Sequence, residues 1–265
     1  TKLSEYLGAF RAVVFTPDHL ALVKGQPENR RRFIDLAICQ SYPRYVSYLN
    51  EYNRVLAQKN ALLRSEAEDS FKYDMISVYN EKMAFSAGAI SFNRRRFLKQ
   101  LEETAILEHY EISGGSEELS IRYNGCFEEE PSGAEETRKA MLLYLNGKAE
   151  TEIARRMCVF GVHKDDFTVF LNGKNARFFA SQGQQRSAVL SLKLAEGEMS
   201  HRVTGEYPVF LFDDILSELD FFRRGIILKK TEGRQVIITG CESEYFSEAN
   251  VENHLCVKCG KVEKR

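Results

Sequence analysis

Val209-Phe210-Leu211-Phe212-Asp213-Asp214-Ile215-Leu216-Ser217-Glu218-Leu219-Asp220 is an apolar run that ends abruptly in paired acids. It reads as a buried strand that delivers its charges at the C-terminal edge of a sheet, where open α/β folds place their ligands. Many nucleotide hydrolases use such an edge for a Mg²⁺ ligand and a water-orienting base. A plain acidic turn after a core strand has the same spelling, so the decision rests on the surroundings.

Upstream, Phe178-Phe179-Ala180 leads into Ser181-Gln182-Gly183-Gln184-Gln185-Arg186-Ser187 and then an alanine- and leucine-rich helix. Small polar residues at what reads as a strand-to-helix turn leave backbone N–H groups and the Ser181 hydroxyl facing outward. They sit at the positive end of a helix dipole, an arrangement suited to phosphate. The order of this turn, a helix, a strand ending Asp-Asp and then Ser217-Glu218-Leu219-Asp220 resembles the signature loop, Walker B strand and D-loop of ABC-type ATPases. Within that superfamily it is closest in spelling to the RecF family. Pro17-Asp18-His19-Leu20-Ala21-Leu22-Val23-Lys24-Gly25-Gln26-Pro27-Glu28-Asn29-Arg30-Arg31-Arg32-Phe33-Ile34-Asp35 resembles a second hallmark of that family. Tyr52-Asn53-Arg54-Val55-Leu56, Lys59-Asn60-Ala61-Leu62-Leu63 and Gly161-Val162-His163-Lys164-Asp165-Asp166 agree with it, so the likeness runs from about residue 15 to about residue 262. Gln26, Val162 and Lys164 depart from the family's usual residues.

The resemblance implies an α/β fold: a partial ABC-type ATPase lobe with an inserted α-helical arm domain. Residues 1–16 would be a remnant of the N-terminal lobe, 17–111 the arm, and 112–265 the C-terminal lobe with signature, Walker B and D-loop. ATP and Mg²⁺ are the implied cofactors. Asp213 would hold Mg²⁺, and Asp214, where many relatives carry glutamate, would polarise the attacking water. Ser181, Gly183 and Gln184 would contact the γ-phosphate of an ATP held by a second subunit, with Gln182 and Gln185 among the nucleotide-binding residues, in a homodimer that forms only with ATP. Asp220 would cross that interface. Thr239 occupies the slot of the transporters' switch histidine and, having no titratable group, could sense phosphate only by hydrogen bonding. Further implied are binding to duplex and gapped DNA at single-strand/double-strand junctions, promotion of RecA loading with RecR and RecO as partners, and a cytoplasmic location. None of the 17 glycines opens a G-x-x-x-x-G-K-[ST] run. The expectation is therefore a chain without the family's N-terminal strands and Walker A, which does not hydrolyse ATP by itself. The competing class is a non-enzymatic DNA-binding or clamp module that carries relic ATPase motifs.

Composition agrees with a soluble globular chain: 265 residues, 43% hydrophobic and 28% charged. No apolar run nears the ~18 residues of a membrane span. The net charge of −1, from 37 basic and 38 acidic residues, excludes a polycation, so DNA contact must come from a local patch or from dimerisation that aligns patches. Arg30-Arg31-Arg32 and Arg94-Arg95-Arg96 are the candidates, with Arg155-Arg156 a lesser one. Against them, Glu28 and Arg32, and Arg31 and Asp35, stand at i,i+4 and can pair on a helix. Tyr42, Tyr45, Tyr48 and Tyr52 could stack on bases, but their helical spacing beside Leu49 and Leu56 favours packing.

Along the chain, Ala12-Val13-Val14-Phe15 reads as a buried strand stopped by Pro17. Pro27 opens a helix whose Phe33, Ile34, Ala37 and Ile38 share a face, and Pro43 restarts the pattern. A polar break at 65–70 precedes a long helical segment over about 71–110. Strand 119–123, an acidic loop at Glu128-Glu129-Glu130-Pro131, helix 134–145 and an Asn-Gly hairpin with strands 167–171 and 176–180 follow. A helix from Phe221 and an apolar strand at Gln235-Val236-Ile237-Ile238-Thr239 complete the parallel α/β rhythm. The six cysteines are scattered and point to a reducing compartment. His254, Cys256 and Cys259 raise a zinc site, for which a terminal hairpin over 255–262 with its turn at Lys258-Cys259-Gly260 is the alternative. His163 lies outside the phosphate residues and is expected to brace the signature loop.

Overall fold

The computed structural model describes residues 9–127, 131–242, 246 and 253–264; the acidic loop Glu128–Glu130 and the first eight residues of the 1–16 segment lie outside them. In chain order, β1 (Ala12–Phe15) is followed by a 3₁₀ turn, α1 (Ala21–Lys24), α2 (Pro27–Ser41), α3 (Tyr45–Arg64) and α4 (Asp69–Ile112). Then come β2 (Leu119–Asn124), α5 (Ala134–Asn146), α6 (Ala149–Arg155), β3 (Asp166–Leu171), β4 (Lys174–Asn175), α7 (Ala176–Phe179) and α8 (Gln182–Thr204). β5 (Val209–Asp213), α9 (Phe221–Lys230), β6 (Val236–Thr239), β7 (Leu255–Lys258) and β8 (Lys261–Lys264) end the described chain.

The apolar strands form a parallel sheet in the order β1-β5-β6, with Ala12 opposite Val209 and Asp213 opposite Thr239. This is the α/β class expected. Val13, Phe15, Phe210 and Phe212 are buried, and β1 packs on α8. Helix α8 is buried on nearly every side from Ser187 to Gly197, the pattern of a helix enclosed within a core. Gly197 is required there, because any side chain would strike the Phe210 ring.

The helical segment follows the sequence pattern closely. Phe33, Ile34, Ala37 and Ile38 are buried on α2, and α3 packs on the 44-residue α4. Helix α5, beyond residue 111, lies on α4 as well. A Cβ at Gly88 would stand 2.8 Å from the Arg138 Cα, so the two backbones meet there. Tyr45 and Tyr52 are buried in this packing, which removes them as base-stacking candidates.

Buried charges fasten the helices to a second, antiparallel sheet, β2-β3-β4. Arg94, 3% exposed, binds both Asp35 oxygens at 2.9 and 2.8 Å, the Val162 carbonyl at 2.6 Å and Asp165 at 3.3 Å. Tyr45 donates to Asp35, and Tyr123 and Cys126 to Asp165. Arg30 holds Asp166 through two bonds of 2.6 and 2.8 Å, and Lys59 pairs with Glu152 at 2.6 Å with both side chains fully enclosed. Arg95 is buried against Thr137 and the Phe127 ring. These placements correct the DNA-binding assignment: Arg30, Arg94 and Arg95 are internal braces. Arg31 is half-buried with one N–H on the Asp165 carbonyl, and Arg32 and Arg96 are exposed.

The Asn-Gly turn forms with φ of 50° and 71° at Asn172 and Gly173, as such hairpins demand. The expected second strand, 176–180, does not. It stops at Asn175, whose side chain accepts the Arg177 N–H and starts α7, so the signature turn joins two helices rather than a strand to a helix. At the C-terminus Cys259 and Gly260 take φ of 48° and 76° in the β7–β8 turn, as the hairpin alternative requires. Among the described residues no group of His, Cys, Asp and Glu could hold a metal, and no helix is long and apolar enough to cross a membrane.

His163 ties α3 to the 158–161 loop: its Nδ1 accepts from the Tyr52 hydroxyl at 2.6 Å and its Nε2 donates to the Cys158 carbonyl at 3.3 Å. Burial lowers its pKa from 6.5 to about 4. The folded ring stays neutral where the unfolded chain takes up a proton, so this contribution is complete above pH ~6.5 and is lost as pH falls toward ~4. Urea midpoints at pH 7 and pH 5 should differ more for the wild-type protein than for His163→Gln. Equal differences would mean that His163 does not carry the acid sensitivity.

Candidate functional site

The parallel register brings two strand ends together. Thr239, at the end of β6, donates its hydroxyl to Asp213 Oδ1 at 2.6 Å, which fixes the carboxylate at the mouth of the sheet. Asp214 follows with φ of 51°, in the left-handed region, and its N–H lies 3.2 Å from both the carbonyl and the hydroxyl oxygen of Thr239. Its carbonyl accepts from the Ser217 hydroxyl at 2.8 Å. Among the described residues Asp214 Oδ1 is buried without a hydrogen-bond partner. A non-glycine residue held left-handed with an orphaned oxygen is a costly local state. Asp213 is exposed; an exposed carboxylate steadied by a neighbouring hydroxyl fits a cation that takes one protein carboxylate and keeps its waters.

The signature turn is preorganised by a capping box. Ser181 Oγ accepts from the Gln184 N–H at 3.2 Å, and Gln184 Oε1 accepts from the Ser181 N–H at 2.8 Å. The first intrahelical bond is Gln185 N–H to Ser181 carbonyl, so the N–H groups of Gln182 and Gly183 lie ahead of it, at the positive end of a 23-residue helix. Gln185 plays a different part from its neighbours. It is 2% exposed and its Nε2 lies 2.9, 3.4 and 3.1 Å from the carbonyls of Ala176, Arg177 and Ala180, which pins the turn from beneath. The expected place of Gln185 among the nucleotide-binding residues is corrected accordingly: its Nε2 is committed inside the fold.

Asp220 caps α9, accepting the Arg223 N–H at 2.9 Å and pairing with its guanidinium at 2.6 Å. The backbone N–H of Arg223, followed by its charge, lowers the Asp220 pKa. Arg186, in the second turn of α8, pairs with Glu218 at 3.0 Å, and the Arg223 guanidinium stands beside Gly183. Signature turn and D-loop are thus joined through two arginines. The Thr239–Asp213 bond and both arginine links escaped sequence reasoning, since each joins segments distant in the chain. The capping box was readable as Ser-x-x-Gln.

No family model matches the chain. The DNA replication and repair protein RecF of Acetivibrio thermocellus is 37% identical over 258 residues, 97% of this chain and 70% of that protein. Proteins of the same name from Exiguobacterium sp. and Listeria monocytogenes serotype 4b are each 40% identical, over 99% of this chain and 72% of theirs. Among solved structures, the recombination mediator protein RecF-ATPrS of the RecFOR pathway has a TM-score of 0.88 at 31% identity, over all of this chain and 70% of its own. The corresponding RecF-ATP structure gives 0.87 at 32%, over 98% and 69%.

Replacing Asp214 by glycine removes both the left-handed penalty and the orphaned oxygen, against an entropic loss of ~0.5–1 kcal/mol. The expected net effect of Asp214→Gly is a gain of ~1 kcal/mol, visible as a raised urea midpoint. A lowered midpoint would show that no strain is stored at this turn.

Proposed function

The chain belongs to the RecF family of DNA replication and repair proteins, and from that premise we propose that it supplies the signature, Walker B and D-loop half of a composite ATP site. In this reading two copies close around ATP, with the Ser181–Gln184 turn of one meeting the γ-phosphate carried by the other. Asp213 holds the Mg²⁺ that comes with the nucleotide, and Asp214 orients water for slow turnover, as suits a switch. Asp220 approaches the second copy. Thr239 acts first on Asp213, whose carboxylate receives its single hydroxyl proton, and only secondarily on phosphate. The ATP-closed dimer engages gapped duplex DNA in the cytoplasm and, with RecR and RecO, promotes RecA loading.

The observation that carries this is the acid pair anchored at the sheet edge, with Asp213 fixed by Thr239 at 2.6 Å beside a left-handed Asp214. A relic site would have no need to keep a strained carboxylate there. Support for the nucleotide comes from the solved relatives, whose names include ATP or ATPrS.

In the full-length gene product, Ser181→Arg and Asp213→Asn should each abolish Mg-ATP-dependent dimerisation measured by sedimentation velocity, while the monomers stay folded, Ser181→Arg losing only the ~1 kcal/mol of its helix cap. Dimerisation that persists in both would leave the non-enzymatic clamp as the better account.

DNA contact falls to the exposed arginines. Arg32→Ala with Arg96→Ala should weaken binding to gapped duplex and reduce the slope of log K against log salt by about 2. An unchanged slope would move the DNA surface elsewhere. Arg94→Ala is the contrasting control: it leaves buried carboxylates unpaired and should cost ~3–5 kcal/mol of stability.

A further inference from the structure

His109 is fully enclosed near the C-terminal end of α4, and both of its ring nitrogens are engaged. Nδ1 lies 3.0 Å from Ser191 Oγ on α8, and Nε2 lies 3.0 Å from Glu117 Oε2. Ser191 Oγ is also 2.8 Å from the Ser187 carbonyl, and Ser187 donates its own hydroxyl to the Gly183 carbonyl at 3.0 Å. A ladder of hydroxyls four residues apart therefore runs along one face of α8, from the imidazole to the signature turn. Serine, histidine and glutamate in this order have the form of a nucleophile with its base. Ser191 has no exposed surface, so no substrate reaches it, and the array has to act on the protein itself.

The same heavy atoms admit two proton arrangements. With a neutral ring, Nε2–H donates to the Glu117 carboxylate and Nδ1 accepts the Ser191 hydroxyl proton. With an imidazolium, Nδ1–H donates to Ser191 Oγ, which turns its own proton to the Ser187 carbonyl. A serine that bonds back to its own helix bends it, here one turn beyond Gly183. The charges facing the ring are Glu117, from the segment before β2, and Arg223 from α9; Glu108 and Glu111 beside it on α4 are taken up by Lys230 of α9 at 2.9 and 2.8 Å. Burial lowers the His109 pKa, Glu117 and the Ser187 carbonyl raise it and Arg223 lowers it, with a lowered value as the result. At neutral pH the ring is neutral and the first arrangement holds. Arg223 is also the guanidinium that lies 3.8 Å from the place a Gly183 Cβ would take and pairs with Asp220. An anion at the signature turn offsets that positive charge, and the imidazolium becomes the easier state to form.

We propose that His109 is a positioning residue for the signature turn: closure on ATP brings a proton from solvent onto its ring, and the Ser191 hydroxyl turns from the imidazole to the Ser187 carbonyl. The inference rests on the composite-site reading and adds a proton to it. Closure and protonation favour each other by the same factor, as linkage requires. Closure raises the affinity of the ring for a proton, so ATP-driven dimerisation strengthens as pH falls.

The test uses the full-length gene product. Between pH 8 and pH 6 the Mg-ATP concentration for half-maximal dimerisation should fall about fivefold in the wild-type protein. It should change far less in His109→Gln, whose side chain keeps a donor for Glu117 but takes up no proton. Calorimetry of dimerisation in two buffers of different ionisation enthalpy at pH 7 should show proton uptake by the wild-type protein. Arg223→Gln leaves the buried ring in place and should shrink that uptake, which keeps the proposal open to refutation if His109→Gln does not fold. A pH response and an uptake that survive unchanged in the variants would overturn the proposal. An absence of uptake in the wild-type protein, with Ser181→Arg still unable to dimerise, would overturn it too and leave the composite site standing without the proton. If Ser181→Arg dimerises normally, the composite site itself fails and the inference goes with it.

Discussion

Much of the architecture answers to one buried cation. A guanidinium cannot shed its charge in a protein, so enclosing Arg94 obliges its surroundings to supply acceptors in a fixed plane. Asp35 comes from α2, the Val162 carbonyl and Asp165 from the turn that leads into β3, and Tyr45 and Tyr123 complete the shell from α3 and β2. Four segments are thereby fixed around one point on α4. Burial raises the Asp165 pKa, and Arg94 opposes that shift; each charge is tolerable in the interior because the other is there. The helical segment is therefore packed into the sheet that precedes the signature turn.

This explains where sequence reasoning succeeded and where it stopped. Periodicity and proline placed α2, α3 and α4 within a few residues, because local pattern and tertiary burial agree along them. The apolar strand with its terminal acids was legible for the same reason. The arginine triplets were not: a run of three basic residues on a helix points around much of its circumference, and only the fold decides which one turns inward. In each triplet one arginine became a bidentate brace, Arg30 on Asp166 and Arg94 on Asp35, while the third residue, Arg32 or Arg96, stayed in water. The strand expected at 176–180 failed to a local competitor, since the Asn175 side chain offered its backbone a helix cap.

The candidate site shows a division of labour within one short motif. Of the residues from Ser181 to Gln185, the first and fourth satisfy each other's backbone, the fifth anchors the turn from inside, and the second and third are left to present bare N–H groups. The rigidity of the turn and its capacity for an anion come from different side chains.

Helix α4 carries this rigidity over distance. Its 44 residues extend ~66 Å at 1.5 Å per residue. Near its C-terminal end His109 touches Ser191 of the signature helix at 3.0 Å and Glu117 at 3.0 Å. It is a beam whose short side lies against α8 and whose long side bears α3 and α5. Pivoted at Arg94, about 37 Å from its N-terminal end, a tilt of ~5° would sweep that end through roughly 3 Å. Motions too small to break the Arg94 bonds would thus become larger displacements at the tip, and a load on the tip would return to the Arg94 bracket with the corresponding mechanical advantage.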